Sequence, residues 1–120
     1  MKCVGYIRVN INEDINVNAV ARQKAEFDKF IFEKGWDLYK YYVDTGSGID
    51  DMRSNLRKLL LDMNEGKFDV ILIKTISRLT RSTFQSLKIW ETARSNNIHI
   101  VSLDGTLDTM FISDLEDESP

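Results

Sequence analysis

Short runs of β-branched and aromatic residues alternate along the chain with segments in which apolar residues recur every three or four positions. The short runs, bounded by Gly, Asn or Asp, predict four strands: Lys2–Val9, Trp36–Val43, Phe68–Lys74 and Ile98–Leu103. The longer period predicts three helices, at about Asn18–Lys34, at about Arg53–Asn64 and from Ser82 onward. This alternation predicts an α/β three-layer sandwich, with helices on both faces of a mainly parallel sheet of four or five strands.

Each predicted helix has one apolar face. The three faces are Val20, Phe27, Phe30 and Ile31, then Leu56, Leu59, Leu60 and Met63, then Phe84, Leu87 and Trp90. Gly35 and Gly66 stand where the first two helices should end, because glycine adopts the left-handed conformation that closes a helix. The segment from Leu107 to Leu115 fits a fifth strand, a short helix or an irregular end.

Length and residue content limit the class of protein. A chain of 120 residues with 42% hydrophobic residues fits one compact domain. No segment reaches the roughly 18 consecutive apolar residues of a membrane-spanning helix, so we expect a soluble, cytoplasmic protein. One cysteine and one histidine exclude an internal disulfide and an ordinary protein zinc site. We expect Cys3 to be a small buried apolar residue and His99 to be structural.

The net charge of −3 argues against binding of nucleic acid, but the charge is distributed unevenly along the chain. Four acidic residues fall in the last seven positions, and residues 1–113 carry 16 basic and 15 acidic groups, a net charge of +1. The acidity therefore belongs to the end of the chain. The sequence predicts one folded domain at 1–113 and an acidic disordered tail at 114–120.

Four of the seven arginines lie in segments that end or follow a predicted strand, namely Arg8, Arg53, Arg78 and Arg81. Ligands of parallel α/β sheets bind outside the carboxyl ends of the strands. A guanidinium group presents a planar fork of donors that suits phosphate. No Walker-type Gly-Lys-Ser/Thr motif is present, and no acidic cluster at a strand end indicates magnesium. The pattern therefore predicts a phosphate held by side chains.

Several motifs occur in one order along nearly the whole chain. They are Gly5-Tyr6-Ile7-Arg8-Val9, Gln23, Trp36, Asp44-Thr45-Gly46-Ser47-Gly48 with Arg53, Phe68–Lys74, and Ser77-Arg78-Leu79-Thr80-Arg81-Ser82. Together they resemble the catalytic domain of the serine site-specific recombinases, the resolvase and invertase family. The resemblance implies a resolvase-like fold and DNA strand exchange, in which a serine attacks a backbone phosphate and forms a 5′-phosphoserine link. It also implies DNA as partner, a homodimer or tetramer of the full-length protein, no metal or nucleotide cofactor, and a mobile element or phage as source.

The resemblance also assigns roles to residues, with one departure. Carried over by position, Arg8, Arg53, Arg78 and Arg81 surround the scissile phosphate, and Ser77 orients it by hydrogen bonding. Asn10 stands at the position of the serine nucleophile. A carboxamide has no hydroxyl that could form a phosphoester, so we expect this chain not to cleave DNA by the family route. A neighbouring hydroxyl is not expected to replace it, because in-line attack needs an atom about 3–3.5 Å from phosphorus.

Three interpretations stay open from the sequence. The first is a recombinase catalytic domain inactivated by asparagine. The second is a catalytically silent homologue that binds and regulates active recombinases or other proteins. The third is a doubly wound phosphate-binding or signalling domain of the flavodoxin-like kind. We do not expect tight or sequence-specific DNA binding by these 120 residues alone, because they contain no basic recognition helix and no basic excess.

Overall fold

The computed structural model describes residues 1–10, 17–46, 54–75 and 83–109. Within these ranges the elements are β1 (Lys2–Asn10), α1 (Val17–Lys34), β2 (Asp37–Gly46), α2 (Ser54–Asp62), a 3-10 turn (Met63–Glu65), β3 (Val70–Ile73), α3 (Thr83–Ser95) and β4 (His99–Ser102). The predicted strands and helices are all present, with ends that differ by a few residues. The predicted tail at 114–120 lies outside the described residues.

The four strands form one parallel sheet in the order β2-β1-β3-β4. The central strand β1 pairs with both β2 and β3, so that Tyr6 stands between Tyr42 and Ile73. The pairing of β1 with β2 shifts register between Cys3 and Val4. Helix α1 packs on one face of the sheet, and α2 and α3 pack on the other. This confirms the predicted α/β sandwich.

Strand alternation divides the core into two layers. In β1, Val4 and Tyr6 face α2 and α3, whereas Cys3 and Ile7 face α1. The four residues of β3 are all fully buried. A strand covered on both faces requires apolar side chains in both directions, which explains the uninterrupted apolar sequence of β3. None of the helices in the described ranges is long and apolar enough to cross a membrane.

The end of α1 is fixed by backbone geometry. Gly35 adopts a φ of 70°. Its amide donates to the carbonyl oxygen of Phe32, and the amide of Trp36 donates to that of Ile31, both at 3.1 Å. These two bonds form a Schellman motif and satisfy carbonyl groups that the helix leaves unpaired. Asn97, with a φ of 56°, ends α3 in the same way. Both turns aim the chain directly into the next strand.

The apolar faces predicted for α1 and α2 are confirmed, whereas of the face predicted for α3 only Trp90 has a described side chain. Ile89 and Ala93, one turn apart, are the buried pair at 2% and 3% exposure, and Trp90 is half-buried. Trp90 is thus partly covered, and the predicted face omitted Ile89 and Ala93, which are buried more completely. Of the 107–115 segment, residues 110–115 lie outside the described ranges, and in the described part Asp108 forms one antiparallel bridge with Val101.

The close approach of α1 to the sheet depends on Gly5. A Cβ added there would lie 2.6 Å from two ring carbons of Tyr41 and 2.7 Å from a ring carbon of Phe27. The two rings stack, with centroids 6.0 Å apart, and leave no room for a methyl group. A side chain at position 5 would therefore push α1 or β2 away from β1.

We expect Gly5→Ala to destabilise the domain by about 1–3 kcal/mol, because overpacking must displace one of these rings. Urea unfolding followed by circular dichroism measures the change. Gly105→Asn is the control: Gly105 has a φ of 79° with no atom within 4 Å of an added Cβ, and asparagine tolerates that conformation. Equal stability of Gly5→Ala and the wild-type chain would contradict the steric argument.

Candidate functional site

The carboxyl ends of the four parallel strands share one edge of the sheet. There β1 ends at Asn10, β2 at Gly46, β3 at Ile73 and β4 at Ser102. The predicted site belongs to this edge because Arg8 and Asn10 lie in the last three residues of β1. Strand β1 continues to Asn10 rather than ending at Val9, so position 10 is paired, opposite Gly46 of β2.

Arg8 is held inside the protein rather than on its surface. Its exposed fraction is 5%, and its Cα is in register with that of Asp44 on β2, which is 6% exposed. Two charged side chains at adjacent buried positions of neighbouring strands form a polar inclusion in an otherwise apolar layer. Burial on this scale restricts the movement of the Arg8 side chain.

Asp44 connects β1, β2 and α2 through three hydrogen bonds. Its carboxylate accepts from the Tyr6 hydroxyl at 2.8 Å, from the Leu56 amide at 2.9 Å and from the Asn55 amide at 3.0 Å. The two amides belong to the first turn of α2, where helical N–H groups have no partner in the helix. A carboxylate at this position satisfies both amides and interacts favourably with the helix dipole.

A second contact fixes the same junction. The Asn55 side-chain amide donates to the carbonyl oxygen of Val43 at 2.6 Å. The start of α2 is thus attached to β2 by both a carboxylate and a carbonyl group. Arg53 directly precedes α2 in the sequence and lies outside the described residues.

The other predicted site residues lie outside the described ranges. They are Arg53, Ser77, Arg78 and Arg81. The neighbouring hydroxyl residues Ser47, Thr80 and Ser82, which are not expected to replace the nucleophile, also lie outside these ranges. Of Asn10 the backbone is described. The convergence of the four arginines on one phosphate therefore stays a prediction, and the structure supplies the position of Arg8 and the anchor of α2 beside it.

Gln23 is a polar residue to which the sequence interpretation gave no site role. It lies on the sheet-facing side of α1 between Ala19 and Phe27, is 5% exposed, and its Oε1 atom has no hydrogen-bond partner among the residues that the structure describes. A buried carbonyl oxygen without a donor costs free energy. Gln23 is six residues into α1, about 9 Å from its start by helical rise. The sequence signal that could have singled out Gln23 is its position as a polar residue within the predicted apolar face of α1.

The end of β4 carries an acidic residue that is engaged in its own turn. Asp104 accepts hydrogen bonds from the Ser102 hydroxyl at 2.6 Å and from the Thr106 hydroxyl at 2.7 Å. These bonds, that from Ser102 first, hold the pKa of Asp104 below its ordinary value. The carboxylate therefore stabilises the turn that follows β4.

Cys3 lies away from this edge and is inert. It is fully buried at the start of β1, and desolvation raises the pKa of its thiol to about 11. The thiol is thus uncharged near neutral pH, whereas only the thiolate is a good nucleophile. His99 is half-buried, with Nδ1 3.4 Å from the Thr109 hydroxyl.

The fold and this edge define a class: a small parallel α/β domain that keeps a buried arginine at the carboxyl end of its central strand. The family model described as "Resolvase, N terminal domain" matches residues 3–115, and the chain belongs to that family. The serine recombinase resemblance predicted from the motifs is therefore confirmed. The family match also decides against a flavodoxin-like signalling domain.

Relatives and solved structures agree with this assignment. The chain is 28% identical over 108 residues to the probable DNA-invertase y4cG of Sinorhizobium fredii, covering 90% of this chain and 32% of that protein. It thus spans about a third of that relative. It is 30% identical over 63 residues to the uncharacterized immunity region protein 3 of Bacillus phage phi105, covering 51% of this chain and 77% of that protein. The N-terminal catalytic domain of TP901-1 integrase superposes with a TM-score of 0.77 at 26% identity, covering 98% of this chain and 92% of that domain.

The hydrogen bonds of Asp44 can be tested by removing the Tyr6 hydroxyl, which donates to it, and by neutralising the Asp44 carboxylate. We expect Tyr6→Phe to destabilise the domain by about 1–2 kcal/mol and Asp44→Asn by about 3 kcal/mol, because a carboxamide cannot accept all three bonds. The double variant should lose about 1 kcal/mol less than the two single losses combined, because the two groups share one bond. Urea unfolding of all four proteins measures this coupling.

Tyr42→Phe is the matched control for this cycle. The Tyr42 hydroxyl donates to Asp62 at 2.6 Å, at the far end of α2, and shares no partner with Asp44. Its loss should therefore add to that of Asp44→Asn without coupling. Coupling as large as that of Tyr6 would show that the effect is a general loosening of the sheet rather than the Asp44 bond.

Proposed function

We propose that this chain is a serine recombinase catalytic domain that binds a DNA backbone phosphate in the cytoplasm but does not cleave it. The position of Asn10 carries the proposal: it is the last residue of β1, two residues beyond the buried Arg8. The resemblance puts the nucleophilic serine at this place. Membership in the recombinase family supports DNA as the partner.

The chemistry explains why one residue decides activity. In the family reaction a serine oxygen forms a bond to phosphorus, the bond from phosphorus to the 3′ oxygen breaks, and the serine proton is lost as the 3′-hydroxyl is released. Asparagine offers an amide nitrogen and a carbonyl oxygen, and neither gives a stable phosphoester. The arginines can still bind phosphate without a serine nucleophile, because a guanidinium group binds a phosphate in its ground state as well as in a transition state.

In this proposal Arg8, Arg53, Arg78 and Arg81 hold the phosphate and Ser77 orients it. Support comes from Arg8, which is fixed in the sheet, and from Asp44, which anchors the helix that follows Arg53. The near-neutral charge of residues 1–113 supplies little long-range attraction. Binding by the isolated domain should therefore be weak and sensitive to salt.

A second function has its own support. The phage relative is named as an immunity region protein, and the chain covers 77% of its length. We therefore also propose a phage or prophage origin and, as the alternative, a silent homologue that regulates active recombinases or other proteins by binding them. This alternative requires no scissile phosphate in the site.

We expect Asn10→Ser to restore covalent attachment to DNA, because it returns the hydroxyl to a strand end beside Arg8. The full-length protein, or this chain fused to a DNA-binding domain of known site, is incubated with nicked duplexes that carry the site and a randomised centre. Attachment appears as a DNA-linked band that survives denaturation and disappears after proteolysis. The unchanged chain and Asn10→Ala should give no such band.

Arg8→Lys in the Asn10→Ser protein tests the phosphate role. Lysine keeps the charge and loses the two-pronged contact, so we expect at least about a tenfold smaller yield of adduct. An Asn10→Ser protein that folds like the unchanged chain and still gives no adduct would refute the catalytic-domain proposal and favour the regulator. Equal yields with and without Arg8→Lys would refute the role assigned to Arg8.

A further inference from the structure

The outer face of α1 carries an aromatic side chain that the fold does not use. Phe32 is 85% exposed, the most exposed large apolar residue among those described, whereas Phe27 and Ile31 supply the contact of this helix with the sheet. Ala21 and Ala25, also exposed, lie on the same side of the helix as Phe32 by the helical period. The result is an apolar ridge with a large side chain at one end and two small ones at the other.

Beside this ridge runs a line of four exposed charges: Arg22, Glu26, Lys29 and Glu33. Their spacing of three or four residues would allow ion pairs within the helix. None of the four forms an ion pair with another residue in the described part of the chain. At Arg22–Glu26 and Lys29–Glu33 the basic residue comes first, which is the weaker orientation for such pairs. These charges are therefore available to an external partner.

The pattern of these four charges is complementary to the same pattern on a second, antiparallel copy of the helix. Measured from a point midway between Phe27 and Asp28, Arg22 is as far in one direction as Glu33 is in the other. The same holds for Glu26 and Lys29. Consider a two-fold axis that runs between two copies of the helix, perpendicular to both and level with that point. It would set each basic residue of this flank opposite an acidic residue of the second copy.

The apolar ridge obeys the same symmetry. Phe32 lies about 7 Å beyond the midpoint, and Ala21 and Ala25 lie about 10 Å and 4 Å before it, at a rise of about 1.5 Å per residue. In the reversed copy Phe32 would thus fall between the two alanines. An aromatic ring entering a gap beside small residues is the arrangement by which helices pack as knobs into holes.

We propose that the outer face of α1 is a self-association surface, where two copies pair antiparallel through Phe32 and the Arg22/Glu33 and Glu26/Lys29 ion pairs. One helix from each copy gives an area below that of a standard interface, so the association is weak, with Kd between about 10 μM and 1 mM. This surface lies on the side of α1 away from the sheet. The proposal is independent of whether the phosphate site binds or cleaves DNA.

Charge reversal at one pair gives a sharp test. The Arg22→Glu variant would face Glu33 of its copy with like charge, and the Glu33→Arg variant would face Arg22 in the same way, so each alone should associate at least about tenfold more weakly. An equimolar mixture of the two variants places opposite charges at both contacts and should recover the wild-type association. Sedimentation velocity over a range of concentrations measures all three samples.

Phe32→Ser tests the apolar contact and should also weaken association at least about tenfold, whereas circular dichroism should stay unchanged because the ring is exposed. Leu61→Ser is the matched control, since Leu61 is 68% exposed on α2. A wild-type chain that stays monomeric at about 1 mM overturns the proposal, and this face would then be a surface for a different partner. Association that survives Phe32→Ser, or a mixture that fails to recover it, also overturns the proposal.

Discussion

The carboxylate of Asp44 is the interaction on which the site edge depends. It is buried between β1 and α2 and accepts from a tyrosine of the central strand and from two amides of the helix. Without it, α2 would begin with unsatisfied amides beside an apolar layer. Because Arg8 is in register with Asp44, this carboxylate holds the start of α2 next to the strand position of one predicted phosphate ligand.

The same arrangement separates folding from chemistry. Position 10 contributes to the sheet through its backbone, which pairs opposite Gly46, and a serine or an asparagine can make that contribution equally. An asparagine at the predicted nucleophile position therefore removes no bond from the strand ladder. A substitution at this position is compatible with the fold, so similarity of fold carries no information on activity.

Local pattern predicted the elements of this domain and the buried faces of α1 and α2, because those depend on the spacing of apolar residues within one segment. On α3 it missed Ile89 and Ala93, which are buried more completely than the predicted Trp90. The motifs contained Asp44, but its partner Tyr6 is 38 residues away, and that contact exists only once two strands are in register. The isolation of Gln23 inside the α1 layer likewise depends on tertiary packing.

The small net charge of residues 1–113 bears on the proposed binding of DNA. With one net positive charge, long-range attraction is negligible, so affinity in that proposal would have to come from the guanidinium groups predicted at the strand ends. A single phosphate contact of this kind is weak. Pairing through the outer face of α1 would place two such sites in one particle, and the second contact would then form at high effective concentration. The exposed Phe32 and the charges beside it, which form no ion pair within the described residues, are thus the part of the structure that could strengthen a weak phosphate site.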